Sequence, residues 1–192
     1  EDLCRCLDSI LAMNLSFPYE IIVSDDRSTD GSYELAQEYA QKDFGSNLLK
    51  IVALQCNSDA CHPANNSQRS GYNRCNAYPH ARGKYIAHVD ADDYFRPNAV
   101  VYERQVAALE AHPECALAMS NCLSIAEHET DLSKGEPWPF PRKMMDGEVI
   151  EQEEFIRKDF FRLNQCFMQR RNPNSDPVAL YGKRYVDSVI TY

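Results

Sequence analysis

The stretch GKYIAHVDADDYFRP, Gly83 to Pro97, places three carboxylates, Asp90, Asp92 and Asp93, at the end of an apolar run. GKYIAHVD reads as a strand: β-branched and aromatic residues, opened by a glycine and closed by acids. Carboxylates crowded in this way repel one another and are costly to desolvate. Something positive must offset them. Upstream, YEIIVSDD, Tyr19 to Asp26, repeats the device, an apolar run ending in Asp25 and Asp26. LLKIVALQ and CALAMSNCLSIA supply two further strands.

Helical patterns fill the intervals. Leu3, Leu7, Ile10 and Leu11 recur at helical spacing. YELAQEYAQKD reads as a helix, with Ser28, Thr29 or Asp30 as its cap. A third helix is expected within YNRCNAYPHAR, limited by Pro79. Pro97 fits the first turn of a fourth, NAVVYERQVAALEAH. Strands alternating with helices predict an α/β domain with a mostly parallel sheet flanked by helices. Ligands of such sheets bind beyond the carboxyl ends of the strands. Both acidic pairs are therefore expected on one rim.

The composition narrows the ligand. The chain has 192 residues, 44% apolar and 26% charged, which suits one soluble domain. A net charge of −9 argues against nucleic acid as a partner. No run approaches the ~20 apolar residues that span a bilayer. Eight cysteines at irregular spacing, none in a CxxC pair, read as reduced thiols of a cytoplasmic protein. Cys56, Cys61 and His62 in CNSDACH are three potential zinc ligands at loose spacing, with no fourth evident.

After Glu127 the sequence changes character. HETDLSKGEPWPFPRKMMDGE is rich in proline and charge; EQEEFIRKDFFRL regains a helical pattern, and QCFMQRR reads as a strand. ALYGKRYVDSVITY ends the chain as a strand or turn running into a helix.

Two of these segments, with a third more weakly, resemble glycosyltransferase family 2. YEIIVSDDRSTDGS is similar to the family's IIVVDDGSTDGT signature. ARGKYIAHVDADDYFRPN is similar to its A-x-G-x-Y-I-x-x-L-D-x-D-D-x-x-x-P segment, which carries the DxD motif. RYVDSVITY more weakly resembles the G-E-D-x-x-L segment, with Val186 in place of the usual Glu beside Asp187. The resemblance implies a GT-A (Rossmann-like) nucleotide-diphospho-sugar transferase fold, a nucleotide-sugar donor with UDP favoured, Mn²⁺ or Mg²⁺, and inversion at the anomeric carbon. Residues 1–126 would form the nucleotide-sugar-binding half and 127–192 the acceptor-side half of a single domain. The family's first strand, V-S-I-I-I-P-T-Y-N, has no counterpart in the chain, and the final helix is cut short. The sequence thus reads as a domain trimmed at both ends.

The resemblance also carries roles. Asp92 matches the main metal-binding Asp, and Asp90 the first Asp of the motif, near ribose or metal. Asp93 positions the loop. Asp26 matches the carboxylate that reads the base, with Asp25 its neighbour; the alternative for both is a helix cap. Arg69 and Arg74 lie where the family places a phosphate-facing arginine, although NRCNAYPHARG departs from the usual A-R-N-x-G and puts Cys75 where Asn is expected. A guanidinium suits a diphosphate. Asp187 matches the general base. His88 reads as a packed strand histidine, and Trp138 with Phe140 as either a sugar platform or ordinary packing. A glycan or lipid-linked acceptor follows from the family, with peripheral association at the inner face of the membrane through regions outside the chain. A nucleotidyltransferase of similar fold, a receiver-type signalling domain and a non-catalytic sugar-nucleotide-binding relic are the competing readings.

Overall fold

The structure, a computed structural model, describes residues 1–45, 47–56, 69–126, 129, 131–137, 145–151, 153–154, 167–172 and 174, with Arg69 and Ser70 described by their backbone alone. Helix α1 (Asp2–Leu11) leads into strand β1 (Tyr19–Asp25), helix α2 (Ser32–Ala40) and strand β2 (Leu48–Gln55). Helix α3 (Arg69–Ala77) runs into a 3-10 turn (Tyr78–His80), where Pro79 ends regular helix. Strand β3 (Tyr85–Ala87), helix α4 (Val101–Ala111) and strand β4 (Leu117–Met119) follow. Short strands β5 (Leu123–Ser124) and β6 (Glu136–Pro137) form a two-residue ladder, and β7 (Phe167–Arg170) closes the order.

β1 and β2 pair in parallel, with α2 as the crossover, so Ser24 faces Leu54 and Asp25 faces Gln55. β7 inserts antiparallel between β3 and β4, matching Met168 to both Ala87 and Ala118. QCFMQRR is therefore a strand as expected, and its place between two strands about 80 and 50 positions earlier comes from long-range pairing that local sequence does not encode. CALAMSNCLSIA is broken into β4 and β5 rather than continuous.

Two apolar clusters hold the layers together. One gathers Leu7, Tyr39 and Ile51, with Leu3, Leu11, Ile21, Val23 and Leu35 around them. Ile21 and Val23 are two apart and share one face of β1, while Leu3, Leu7 and Leu11 form the stripe of α1. Leu7 is 2% exposed, so Leu7→Ala leaves a cavity costing about 2–5 kcal/mol. The other cluster joins Leu15, Tyr102, Leu109 and Met168 beneath α4, with Tyr85, Ala87 and Val89 of the strand leading to the acidic loop. The Tyr39 hydroxyl donates to Asp8 Oδ1 at 2.7 Å, tying α2 to α1.

Two local expectations are corrected. α4 begins at Val101, four residues beyond Pro97, because Asn98 takes a left-handed φ of 60° and turns the chain first. The N-cap of α2 is Gly31, at φ 88°, rather than Ser28, Thr29 or Asp30. Asp30 still serves the helix start, since its Oδ1 accepts the Ser32 N–H at 3.1 Å. Among the described cysteines, Cys4, Cys6 and Cys115 are free thiols. Among the described residues no helix is long and apolar enough to cross a membrane.

Candidate functional site

The carboxyl end of β1 and the loop after β3 are joined by one turn of α3. Asn73 Nδ2 donates to the Ser24 carbonyl at 2.6 Å, and the Ser24 hydroxyl donates to Asn73 Oδ1 at 2.5 Å. Asn76 Nδ2 reaches the same hydroxyl at 3.1 Å. The next residue along, Arg74, donates from Nη2 to Asp90 Oδ1 at 2.9 Å. Adjacent α3 side chains thus grip both strand ends.

At the β1 end the two acids diverge. Asp25 is 7% exposed. Its Oδ2 accepts the Ser28 N–H at 3.1 Å and its carbonyl accepts the Cys56 N–H at 2.8 Å. Asp25 closes the turn after β1, while Asp26 is half-buried just beyond the strand. Arg27 has a φ of 58° and donates from Nε to the Cys56 carbonyl at 3.0 Å. A left-handed φ suits glycine, and the family signature carries Gly at this point of the motif.

The loop from His88 to Asp93 turns on the Asp93 N–H to Asp90 carbonyl bond, 3.0 Å. Asp92 and Asp93 are exposed; Asp90 is half-buried in its pair with Arg74. Beneath them lies Cys6 of α1, 4% exposed, whose thiol donates to the Asp90 carbonyl at 3.6 Å. Burial, then the charges of Asp93, Asp90 and Asp92, push the Cys6 thiol up to about 12. It stays protonated and inert as a nucleophile. One turn further along α1, the Ser9 hydroxyl accepts the Phe95 N–H at 3.0 Å and donates to the Cys6 carbonyl at 2.7 Å. α1 is thereby a floor for the acidic loop. His88 is held neutral: burial, reinforced by the Arg74 charge, pushes it down to about 3.

The structure brings together Asp25, Asp26, Arg74, Asp90, Asp92 and Asp93. Arg74 faces Asp90, an arrangement the sequence does not reveal, and supplies part of the positive charge that the acidic loop requires. Cys6, Ser9 and Asn73 were not singled out by sequence reasoning. Helical periodicity marks the Leu3–Leu7–Leu11 stripe and is silent on its neighbouring face, whose partners lie 84 and 86 residues away. The side chain of Arg69, and Cys61, His62, Trp138, Phe140 and Asp187, lie outside the described residues.

The donor set suits a hard divalent cation. Asp92 and Asp93 offer exposed carboxylates next to Asp90, and carboxylate oxygens favour Mg²⁺ and Mn²⁺. Their oxygens do not form a closed cage: among the described residues the one trio of ligand atoms within 4.8 Å of one another is elsewhere, at His112, Glu114 and Cys115. An open edge with one or two carboxylates is how Mg²⁺ is held when phosphate oxygens complete its shell.

The fold is α/β with a parallel β1–β2 pair, and α3 ties the acidic end of β1 to the acidic loop after β3, with Arg74 paired to Asp90. The chain matches glycosyl transferase family 2 over residues 1–176 and belongs to that family, with its GT-A fold. An uncharacterized protein of Mycobacterium tuberculosis is 26% identical over 174 residues, covering 91% of this chain and 44% of its own length. Poly(ribitol-phosphate) beta-glucosyltransferase of Bacillus spizizenii is 35% identical over 105 residues, 53% of this chain and 14% of its own. The uncharacterized glycosyltransferase EpsJ of Bacillus subtilis is 36% identical over 90 residues, 47% of this chain and 22% of its own. The chain therefore spans less than half the length of these relatives. No solved structure gives a significant match.

Proposed function

We propose that the chain is the catalytic part of an enzyme that transfers a sugar from a nucleotide-diphospho-sugar, UDP-linked by preference, to a hydroxyl of a glycan or lipid-linked acceptor, with inversion. The observation that carries this reading is the α3 grip, Asn73 on Ser24 and Arg74 on Asp90, which ties the acidic end of β1 to the acidic loop after β3. Asp26 accepts a hydrogen bond from the base. Arg74 and the backbone after β1 face the diphosphate, with Arg69 at the start of α3 as a second guanidinium. Asp92, with Asp90, would hold Mn²⁺ or Mg²⁺, which when bound neutralises the diphosphate and stabilises it as a leaving group. Asp187 takes the proton of the acceptor hydroxyl, a weak nucleophile until that proton leaves.

Relatives named as glycosyltransferases, one of them acting on poly(ribitol phosphate) by its name and another assigned by its name to teichuronic acid biosynthesis, support an acceptor in cell-envelope polysaccharide assembly. Val186 beside Asp187 favours a second reading, a sugar-nucleotide-binding relic. The test is donor turnover. With Mn²⁺ and a panel of UDP-, GDP- and dTDP-sugars, the full-length protein should hydrolyse or transfer one donor. Donor binding with no turnover for any donor or acceptor fraction would favour the relic; no nucleotide stabilisation at all would defeat both.

A further inference from the structure

The amino ends of β3 and β4 lie on the opposite rim from the acidic loop. There the sequence HPEC, His112 to Cys115, turns α4 into β4. His112, Glu114 and Cys115 each present one metal-ligating atom, and the three atoms lie within 4.8 Å of one another. His112 Nδ1 and Glu114 Oε1 are already 3.0 Å apart. A tetrahedral zinc shell sets nitrogen, oxygen and sulfur ligands about 3.3–3.6 Å apart, so side-chain movements of about 1 Å would close one.

The backbone beneath these side chains is fixed independently of any ion. Cys115 N–H donates to the His112 carbonyl at 3.0 Å. Arg170, on β7 opposite Tyr85, donates to the carbonyls of Cys115 at 2.7 Å, His112 at 3.1 Å and Leu109. Its guanidinium is turned to carbonyl oxygens. Preformed ligand positions lower the ordering cost of binding. The side chains of His112 and Glu114 are 43% and 65% exposed, which leaves an entry path and room for water as a further ligand. Glu114 and Glu151 both place negative charge near the Cys115 thiol, against the opposing charge of Arg170.

We propose that His112, Glu114 and Cys115 form a binding site for a thiophilic divalent cation, Zn²⁺ by class, on the rim opposite the donor site. A mixed sulfur, nitrogen and oxygen set selects Zn²⁺ over Mg²⁺ or Mn²⁺. The cation takes the place of the Cys115 proton and staples the α4–β4 turn. The two rims then differ in cation chemistry, hard at Asp92 and soft at Cys115, and the site does not depend on the sugar-transfer reading.

Co²⁺ is the probe, because a cobalt–thiolate bond gives a near-ultraviolet charge-transfer band. The chain should show that band at one equivalent of Co²⁺, and Zn²⁺ should abolish it. Cys115→Ser should lose it. Loss of an outer partner of a metal ligand costs about 10–100-fold in affinity, so His112→Ala and Glu114→Gln should weaken Zn²⁺ binding at least about tenfold. Cys61→Ser should leave it unchanged. No band in the parent, a band that survives Cys115→Ser, or a band lost in Cys61→Ser would overturn the assignment. If Cys115→Ser proves misfolded by circular dichroism, exposed Glu114 decides: unchanged Zn²⁺ affinity in Glu114→Gln overturns the site.

Discussion

Arg74 and Asp90 meet at 2.9 Å with unequal exposure, the arginine side chain 12% and the aspartate 42% accessible. The two halves of the pair therefore differ in what their loss leaves behind. Removing Asp90 leaves a largely buried guanidinium without its carboxylate. Removing Arg74 leaves a carboxylate that water still solvates. Breaking a fully buried pair costs about 3–5 kcal/mol, and exposure reduces this. In metal-free buffer, Asp90→Ala should cost about 2 kcal/mol and Arg74→Met about 1 kcal/mol, on the same scale discounted for solvent. Urea midpoints in the reverse order would show that Arg74 is held by other contacts.

Asp92 is exposed and forms the centre of the proposed cation site. Asp92→Asn should leave the urea midpoint within about 0.5 kcal/mol of the parent, as for ordinary surface changes. It should also remove the Mn²⁺ dependence of nucleotide binding. Calorimetry that shows Mn²⁺ tightening UDP equally in parent and variant would refute the role.

Asp25 and Asp26 should separate under mutation. Asp25→Ala deletes a buried acceptor and orphans the Ser28 N–H, so stability should fall by about 1–3 kcal/mol. Asp26→Ala should weaken uridine while leaving pyrophosphate binding nearly unchanged. Equal losses for uridine and pyrophosphate would point to general disruption.

For His88 the sign is set by its depressed basicity, about 3 against the usual 6.5. Between those values the unfolded chain binds the proton and the folded chain does not, so stability rises with pH. The contribution is complete above about 6.5 and is lost as pH falls toward 3. Its slope is at most about 1.4 kcal/mol per pH unit. His88→Asn should flatten the stability profile between pH 5 and 6.5, a window above most carboxylate titrations. An unchanged slope would mean that His88 gains its proton in the folded state.

Asp187→Asn keeps the shape of the proposed base and removes its basicity. Transfer by the full-length protein should drop about 10²–10⁴-fold, with donor and Mn²⁺ affinity unchanged. Near-parental turnover would send the search to the acidic segment between Glu127 and Glu154.

Much of this architecture is written locally. The runs YEIIVSDD and LLKIVALQ become β1 and β2 almost residue for residue, and the Leu3–Leu7–Leu11 stripe packs where its period predicts. What the sequence hides depends on distance along the chain or on single dihedrals. Nothing around Phe167 announces that it will lie between β3 and β4. Two consecutive aspartates look alike until the turn at Arg27 buries one and leaves the other half-buried. Pro97 signals a helix start correctly in kind, and the φ of Asn98 postpones it by a turn. The ion pair of Arg74 with Asp90 joins residues 16 apart, and each alone reads as a ligand contact rather than as the other's partner.

Asn73 and Arg74 are consecutive on a helix, so their Cα atoms differ by a rise of about 1.5 Å and a rotation of about 100°. That single peptide step acts as a gauge block between the strand end at Ser24 and the loop at Asp90. The gap between the two ends is set by covalent geometry and not by soft contacts. Exchanging the side chain of Asp26 would therefore leave the Asp90 end in calibration, whereas inserting one residue between Asn73 and Arg74 would throw the two ends out of gauge.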